Sequence, residues 1–293
     1  MNIVILSRSN TLYSTQSLID AARRYNHSVR VVDHLYCDMI IEARKSRILY
    51  HNQPITNTDA VIPRIGSSVT GSGVTILRQF ESQGVFTTLN AESLLMARDK
   101  LSCLQILSSH QILVPKTIYI SNPYTIPFLL EEMGDYPVII KLASGTQGMG
   151  VILAESKSNA ESVLEAFYTT KEKVMLQKFI REANGSDIRA FVVDGEVVAA
   201  MKRTAKKGDF RSNMHRGGTM ERIRLSALEE ETAIKSAHIL GLKIAGVDML
   251  PTTKGPMVLE VNVSPGLEGI ETTTGVDISG AIIRFIERSL KNR

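Results

Sequence analysis

Three oxygen-bearing side chains lie on two neighbouring strand-like runs near the carboxyl end of the chain. Asp248 lies in AGVDML, and Glu260 and Asn262 lie in VLEVNVSPG, where a spacing of two puts both on one strand face. If the runs pair through the turn at 251–255, Asp248 comes close to Glu260. If only one of the three side chains were present, an acidic or polar strand face exposed to solvent would explain it better. Three on apolar strands favour a Mg²⁺ or Mn²⁺ site, because buried carboxylates are costly unless paired or metal-bound.

A glycine-rich turn, SGTQGMG at residues 144–150, separates two further strand-like runs, and Lys141 lies near the end of the first. Glycines let backbone amides approach phosphate oxygens, and a neighbouring lysine supplies positive charge. The spacing is neither a Walker A loop nor the G-x-G-x-x-G of dinucleotide-binding folds. Taken alone, such a turn is better explained as a plain hairpin, so it indicates a phosphate site only together with other residues.

A basic segment between Lys202 and Arg224 holds eight lysine and arginine residues against two acidic ones. It carries +6, whereas the whole chain carries +4. Three interpretations stay open: a solvated face, a nucleic-acid patch, or the lining of a site for a polyanion such as ATP. Phe210 is the only aromatic residue of its stretch KRTAKKGDFRSNMHRGG, and single-strand grooves use several aromatics, so nucleic acid is disfavoured.

The elements that must position these residues form more than one unit, since 293 residues exceed an ordinary single domain. The first ninety residues alternate strands (3–6, 29–33, 60–62, 86–89) with helices (15–25, 74–83), which predicts a small parallel α/β domain. The missing G-x-G-x-x-G after the first strand disfavours an NAD enzyme.

The rest of the chain predicts an α+β arrangement. A helical pattern runs from 91 through 98 to 110, and two more helices are expected at 124–133 and 159–168. The strands are expected at 117–120, 137–142, 151–154 and 174–179. A hairpin at 187–193 and 196–203 turns through Asp194-Gly195, and helices at 227–240 and 277–290 flank strands at 244–250 and 256–262.

Cys37 and Cys103 lie far apart, with no C-x-x-C and no paired histidine, which argues against a disulfide framework and a structural zinc site. No apolar run approaches the roughly 20 residues of a membrane span, and the first residues lack a signal-peptide pattern. The sequence therefore predicts a cytoplasmic protein with no membrane partner. No serine or cysteine nucleophile is marked by its neighbours.

A series of motifs in one register over nearly the whole chain resembles the ATP-grasp superfamily: RDK at 98–100, VMLQ at 174–177, DIR at 187–189, GVD at 246–248 and EVN at 260–262. More narrowly, VIPRIG at 61–66, GDFRSN at 208–213, HRGG at 215–218 and VNVSPGLEGIE at 261–271 resemble the RimK family of ribosomal-protein glutamate ligases. The resemblance implies an α/β and α+β fold in which two ATP-grasp lobes grip ATP behind a pre-ATP-grasp domain. It implies domains at 1–95, 96–176 and 177–293.

The resemblance also implies roles for individual residues. The ATP phosphates would be held by Lys100, Lys141, Gly145, Gly148 and Gly150. The adenine and ribose would meet Gln177, Lys178, Phe179, Ile180 and Asp187, although many relatives carry an acidic residue in place of Lys178. The triphosphate or the reacting carboxylate would face Arg203, Arg211, Ser212 and Asn213. Two Mg²⁺ or Mn²⁺ ions would bind Asp248, Glu260 and Asn262. The amino-acid pocket would contain Arg216, Gly217 and Gly218.

The activity that the resemblance implies is ATP-dependent addition of L-glutamate residues to the carboxyl terminus of the sixth small-subunit ribosomal protein, through an acylphosphate, by a homo-oligomer that binds no DNA. An alternative in the superfamily is a carboxylate-amine ligase for a small molecule, free glutamate or an acidic carrier protein, since these folds share phosphate machinery and differ in the acceptor pocket. A function of a different class, a basic RNA-binding module, is also possible in principle. The carboxylates of Asp248 and Glu260 argue against it. Arg64 in VIPRIG either faces the cleft or holds a loop at a strand end.

Overall fold

The computed structural model of this chain describes residues 1–43, 45–142, 150–168, 174–206 and 218–292. The strands are β1 (Asn2–Leu6), β2 (Ser28–Val32), β3 (Cys37–Ile40), β4 (Arg47–Tyr50), β5 (Gln53–Pro54), β6 (Ala60–Pro63), β7 (Phe86–Thr87), β8 (Thr117–Ile120), β9 (Val138–Leu142), β10 (Val151–Ala154), β11 (Val174–Lys178), β12 (Ser186–Val193), β13 (Glu196–Thr204), β14 (Thr219–Arg222), β15 (Ile244–Leu250) and β16 (Met257–Asn262). The helices are α1 (Tyr13–Arg24), α2 (Thr70–Ser82), α3 (Ala91–Arg98), α4 (Lys100–Ser109), α5 (Ile126–Met133), α6 (Lys157–Tyr168), α7 (Ala227–Ile239), α8 (Glu268–Thr274) and α9 (Ile278–Lys291). Within these ranges, no helix has the length and apolar composition needed to cross a bilayer.

The amino-terminal sheet is parallel, with strand order β2-β1-β6-β7, as the alternation of strands and helices predicts. Both of its faces are covered. Ile3 and Ile5 pack into one apolar core with α1 and α9, whereas Val4 and Leu6 pack into a second core with α2 and α3. This two-sided burial explains why β1 is an unbroken apolar run.

The carboxyl-terminal sheet is antiparallel, with strand order β14-β13-β12-β15-β16. The predicted hairpin between β12 and β13 turns at Asp194 and Gly195, both of which have positive φ. One face of this sheet, which includes Val247 and Met249, is buried in the core that also holds Val4. The other face is apolar at one end, around Phe191, and polar at the other, which is where a site has room to form.

A third sheet, with strand order β10-β9-β11-β8, is antiparallel and has its own apolar core under α5 and α6. The predicted hairpin of β9 and β10 is present on either side of the glycine-rich turn. Gly150 closes it with φ +69°, and a Cβ atom there would lie 3.0 Å from Leu142, so this position needs glycine. The division of the chain at residues 95 and 176 stays a prediction.

Asp99 interrupts the helix that the sequence predicts from 91 to 110. Its extended backbone, φ −77° and ψ 108°, ends α3, and its side chain accepts a hydrogen bond from the Ser102 amide to begin α4. The break makes Lys100 the first residue of a new helix and frees Arg98 to hydrogen-bond the carbonyl of Ile65.

We expect Asp99→Ala to lower the free energy of unfolding by about 1 kcal/mol, because the amide of Ser102 loses its capping acceptor. Asp99→Asn should keep most of that stability, since asparagine caps helices equally well. Urea unfolding followed by circular dichroism measures both. Equal losses for the two variants would contradict a capping role.

Candidate active site

The polar end of the carboxyl-terminal sheet gathers charged side chains from four strands. Directly opposed residues in an antiparallel sheet point to the same face. The opposed pairs are Asp187 with Arg203, Arg189 with Asp248, Asp248 with Glu260, and Gly246 with Asn262. The predicted approach of Asp248 to Glu260 through the turn at 251–255 is therefore present in the structure.

The Asp248 carboxylate lies in the middle of this face and is 5% exposed. Nε of Arg189 donates to its Oδ1 at 2.7 Å, and Nη2 of Arg189 donates to its Oδ2 at 2.6 Å. Nη2 of Arg203 lies 3.0 Å from the same Oδ2. Burial by itself would raise the pKa of Asp248, but the two guanidinium groups hold that pKa below its ordinary value. Asp248 is therefore ionised at neutral pH.

Arg203 lies between two buried carboxylates. Its Nε donates to Oδ1 of Asp187 at 3.0 Å, and its Nη2 contacts Oδ2 of both Asp187 and Asp248. Burial lowers the pKa of Arg203, but the two carboxylates more than offset this and raise it above its ordinary value. The side chain predicted to be catalytic is thus a permanent charge that joins the two aspartates. Asp187, predicted to bind ribose, is 2% exposed and is paired with it.

Arg189 is the site residue that sequence reasoning left without a role. The DIR motif at 187–189 contains the signal, because a spacing of two puts Arg189 on the same strand face as Asp187. Its partner, Asp248, lies on a strand that is distant in sequence, and only the pairing of β12 with β15 brings the two together.

Glu260 and Asn262 lie half-buried beside Asp248. Nδ2 of Asn262 points to the carbonyl of Gly246 at 3.4 Å and to Oδ2 of Asp248 at 3.3 Å, so the amide oxygen faces away from both. Among the residues that the structure describes, no hydrogen bond or ion pair involves the Glu260 carboxylate. Half-buried oxygens of this kind are hard donors, and the set of two carboxylates and one amide fits a divalent cation such as Mg²⁺.

Lys141, on β9, brings a second group of polar side chains to the site. Its Nζ donates to Oε1 of Gln177 at 2.6 Å, and Nε2 of Gln177 donates to Oγ1 of Thr117 at 2.9 Å. Burial lowers the pKa of Lys141 to about 8, with the positive charge of Lys100 acting in the same direction and the carboxylate of Glu260 opposing it. These three charges therefore act on one another, although they come from α4, β9 and β16.

The remaining predicted residues divide into two groups. Lys178 ends β11, and its Nζ lies 3.4 Å from Asp135 at an exposed position, while its backbone amide donates to Lys116. Phe179 and Ile180 follow in the connection to β12, and Gly218 directly precedes β14. The following predicted residues lie outside the described ranges: Gly145, Gly148, Arg211, Ser212, Asn213, Arg216 and Gly217.

Arg64 holds a loop, the second of its two predicted alternatives. Its Nη2 donates to the carbonyl of Pro265 at 2.8 Å and so ties the end of β6 to the SPGLEGIE segment. Two further contacts join α1 to the same region: Ser14 accepts from the amide of Leu267, and Ser17 donates to Glu271. The amino-terminal domain thus fixes the loop that follows β16.

Comparison with protein families gives two matches. A model described as "RimK-like ATP-grasp domain" matches residues 97–286, and one described as "RimK PreATP-grasp domain" matches residues 1–94. A curated protein named "Probable alpha-L-glutamate ligase" from Thioalkalivibrio sulfidiphilus is 49% identical over 291 residues, which cover 99% of this chain and 97% of that protein.

Solved structures share the fold at much lower identity. The ATP-grasp ligase PsnB complexed with a minimal precursor has a TM-score of 0.78 at 21% identity, covering 98% of both chains. The same ligase with minimal precursor, Mg and ADP has a TM-score of 0.76 at 19% identity, covering 99% of this chain and 98% of that chain. The expected ATP-grasp architecture is confirmed.

Proposed function

This chain belongs to the RimK-like ATP-grasp family, whose members are ATP-dependent carboxylate-amine ligases, and we propose that it joins L-glutamate to the carboxyl terminus of a small-subunit ribosomal protein, the sixth by convention. The name of the 49% identical relative, an alpha-L-glutamate ligase, supports glutamate as the amine. A further structure of PsnB is complexed with a precursor peptide, which supports a peptide as the acceptor. The ribosomal acceptor rests on the resemblance of HRGG and SPGLEGIE.

The observation that carries the proposal is that Glu260, which lies opposite Asp248 in the sheet, and Lys100 both act on the charge of the buried Lys141. Carboxylates that bind a cation and lysines that bind phosphate are the complementary halves of a nucleotide-phosphate site. In the proposed complex, the lysines and the glycine-rich turn contact the triphosphate. The backbone from Gln177 to Ile180 reads adenine, and Asp187 meets the ribose.

Asp248, Glu260 and Asn262 would hold two Mg²⁺ or Mn²⁺ ions once nucleotide is bound. Magnesium takes about six oxygens, so three side chains need phosphate oxygens to complete the set. Ions bound there neutralise the charge that spreads over a transferring phosphoryl group. Arg189 and Arg203 keep Asp248 ionised and fix the orientation of its carboxylate, while within the described ranges its Oδ1 accepts one hydrogen bond, from Nε of Arg189.

The proposed reaction has two steps. An oxygen of the acceptor carboxylate attacks the γ-phosphorus of ATP, the bond from that phosphorus to the β,γ-bridging oxygen breaks, and ADP leaves. The amine of L-glutamate then attacks the acyl carbon, phosphate leaves, and the nitrogen loses a proton to give the amide. Arg203, Arg211 and Asn213 would neutralise the developing charge, and Arg216 with Gly217 and Gly218 would hold the amino acid.

No covalent enzyme nucleophile takes part in this scheme. The two thiols agree with that, because burial raises the pKa of Cys37 to about 11 and that of Cys103 to about 12. Both are therefore thiols rather than reactive thiolates at neutral pH.

Intact mass spectrometry of the purified ribosomal protein tests the proposal, after incubation with this enzyme, ATP, Mg²⁺ and L-glutamate and with ADP release followed in parallel. We expect a ladder of glutamyl increments on the carboxyl terminus, absent without ATP and absent with D-glutamate. ADP release without any mass change on the protein would contradict the ribosomal acceptor and indicate free glutamate or another small molecule instead.

Proton uptake on ATP binding is a further expected result. Because burial lowers the pKa of Lys141 to about 8 from its ordinary value of 10.5, the amine is largely neutral near pH 9 in the free enzyme. A triphosphate beside it favours the charged form, so its pKa rises again and uptake approaches about one proton per ATP near pH 9, with almost none at pH 6.5.

Isothermal titration calorimetry in two buffers of different ionisation enthalpy measures this uptake. The exposed Lys254→Met variant, which removes the same type of charge elsewhere, should keep the wild-type value. An apparent binding enthalpy at pH 9 that does not depend on the buffer would contradict the role of Lys141.

A further inference from the structure

Three hydrogen-bonded side chains, Thr117, Gln177 and Lys141, cross one face of the third sheet, and we call them the three-residue network. Gln177 directly opposes Thr117 on β8, and Met175, two residues earlier on β11, directly opposes Lys141 on β9. Opposed residues, and residues two apart on one strand, point to the same face. The other face, which includes Leu176, packs into the apolar core under α5 and α6. The three-residue network therefore lies on the face away from these helices.

Thr117 sets the direction of each hydrogen bond in the three-residue network. Its hydroxyl has one hydrogen, which it donates to the carbonyl of Pro115 at 2.8 Å, so towards Gln177 it is an acceptor. Nε2 of Gln177 donates to it at 2.9 Å, and the other end of the carboxamide, Oε1, accepts from Nζ of Lys141 at 2.6 Å. A flipped carboxamide would place an NH₂ group against an ammonium, and both groups are donors. Thr117 thus fixes which end of Gln177 faces the lysine.

This arrangement holds the Lys141 side chain in one position. A lysine side chain samples many rotamers, and restricting it to one of them costs conformational entropy. Gln177 is 4% exposed and is itself held by Thr117, so the protein supplies a fixed acceptor for Nζ. Within the described ranges, Nζ makes this one hydrogen bond, which leaves two of its three N–H donors for phosphate oxygens.

Glutamine suits this position because it is neutral. A carboxylate at position 177 would also accept from Nζ, but its negative charge would oppose the attraction between the lysine and a phosphate. The carboxamide orients the ammonium without adding a counter-charge. Gln177 also begins the backbone segment 177–180 that is proposed to read adenine, so one residue joins the base side of the site to its phosphate side.

We propose that Gln177 and Thr117 are positioning residues, which orient Nζ of Lys141 towards the phosphates of the bound nucleotide. The inference rests on the proposed ATP site. Thr117 has no contact with the nucleotide in the proposed complex, so its effect on binding passes through Gln177 and Lys141.

The alternative is a purely structural network, which satisfies buried polar groups and stabilises the sheet. Loss of a structural contact would disturb the adenine segment, and the binding of adenosine and of ATP would weaken equally because both ligands use that segment. Loss of a positioning contact weakens the binding of the ligand that carries phosphates and leaves adenosine unaffected. A comparison of the two ligands therefore separates the two roles.

Isothermal titration calorimetry with adenosine and with a non-hydrolysable ATP analogue, both in the presence of Mg²⁺, makes this comparison. Thr117→Val keeps the shape of the side chain but removes the acceptor for Nε2 of Gln177, so the carboxamide is no longer held in one orientation. We expect Kd for the analogue to rise roughly five- to tenfold, the effect of about one hydrogen bond, and Kd for adenosine to stay unchanged. Thr117→Ser keeps the hydroxyl and should bind both ligands as the wild type does.

A double-mutant cycle shows whether the effect passes through Lys141. In the Lys141→Met background, Thr117→Val should no longer change Kd for the analogue, because the side chain that it positions is gone. Thr125→Val is the matched control. Oγ1 of Thr125 donates to the carbonyl of Asn122 at 2.7 Å, at an exposed position directly before α5, which covers the other face of the same sheet. This control should leave both Kd values unchanged.

Three results would overturn the proposal: an unchanged Kd for the analogue in Thr117→Val, equal weakening of both ligands, or an effect of Thr117→Val that persists in the Lys141→Met background. Failure of the proposed function gives different results. If the wild type bound the analogue no more tightly than adenosine, the phosphate site would be wrong, and this inference with it. A missing glutamyl ladder with the nucleotide contrast intact would overturn the ligation reaction and leave the positioning role standing.

Discussion

Glu260→Gln should reduce turnover by roughly 10²- to 10³-fold while the protein stays folded. The substitution keeps the shape of the side chain and removes one of the two carboxylates proposed to bind the cations. It also removes the negative charge that raises the pKa of Lys141, so the phosphate-binding lysine becomes more often neutral. Steady-state ADP release at saturating ATP measures the loss.

Stability should hardly change in this variant. Within the described ranges, the Glu260 carboxylate makes no hydrogen bond or ion pair, so its replacement should alter the free energy of unfolding by no more than about 0.5 kcal/mol. Glu196→Gln makes the same change at an exposed position on β13 of the same sheet and should keep full activity. Near-normal turnover in Glu260→Gln would count decisively against the proposed cation site.

Arg203→Met should lower the free energy of unfolding by about 3–5 kcal/mol at neutral pH, because it removes the guanidinium that pairs with two buried carboxylates. Asp187, at 2% exposure, loses the guanidinium that contacts both of its oxygens. Asp248 keeps only Arg189. Arg203→Lys should recover part of this stability. Lysine restores the positive charge but lacks the paired N–H donors of the planar guanidinium.

The pH dependence of that loss follows from the pKa of Asp248. The two arginines hold this pKa below its unfolded value, so their stabilising effect is present above about pH 4 and disappears as the pH falls further. Urea unfolding at pH 7 and at about pH 2 should therefore give a smaller difference between wild type and Arg203→Met at the lower pH.

Arg78→Met is the control for that experiment. Arg78 pairs with Glu92 at 2.6 Å, but the two side chains are 53% and 70% exposed, and such surface pairs contribute about 0–1 kcal/mol. A loss in Arg203→Met no larger than the loss in Arg78→Met would show that the buried network contributes little stability.

Local sequence signals identified most long elements of the fold. Asp194-Gly195 marks its hairpin because both residues adopt the positive φ that such turns need. The short strands β3, β4, β5 and β14 and helix α8 are absent from the sequence prediction, since runs of two to seven residues show no clear periodicity. The sequence also predicts one helix across Asp99, whereas the structure ends α3 there, with a capping bond from the Ser102 amide and a hydrogen bond from Arg98 to the carbonyl of Ile65.

Local sequence patterns predict which oxygen-bearing side chains of the proposed cation site lie together. Strand alternation with a spacing of two put Glu260 and Asn262 on one face, and the short turn at 251–255 paired them with Asp248, because both effects act over a few residues. The tertiary structure alone decided which charges meet. Arg189 and Arg203 pair with Asp248, and Glu260 acts on the charge of Lys141, because strand order and sheet packing join residues far apart in the chain, which no local pattern specifies.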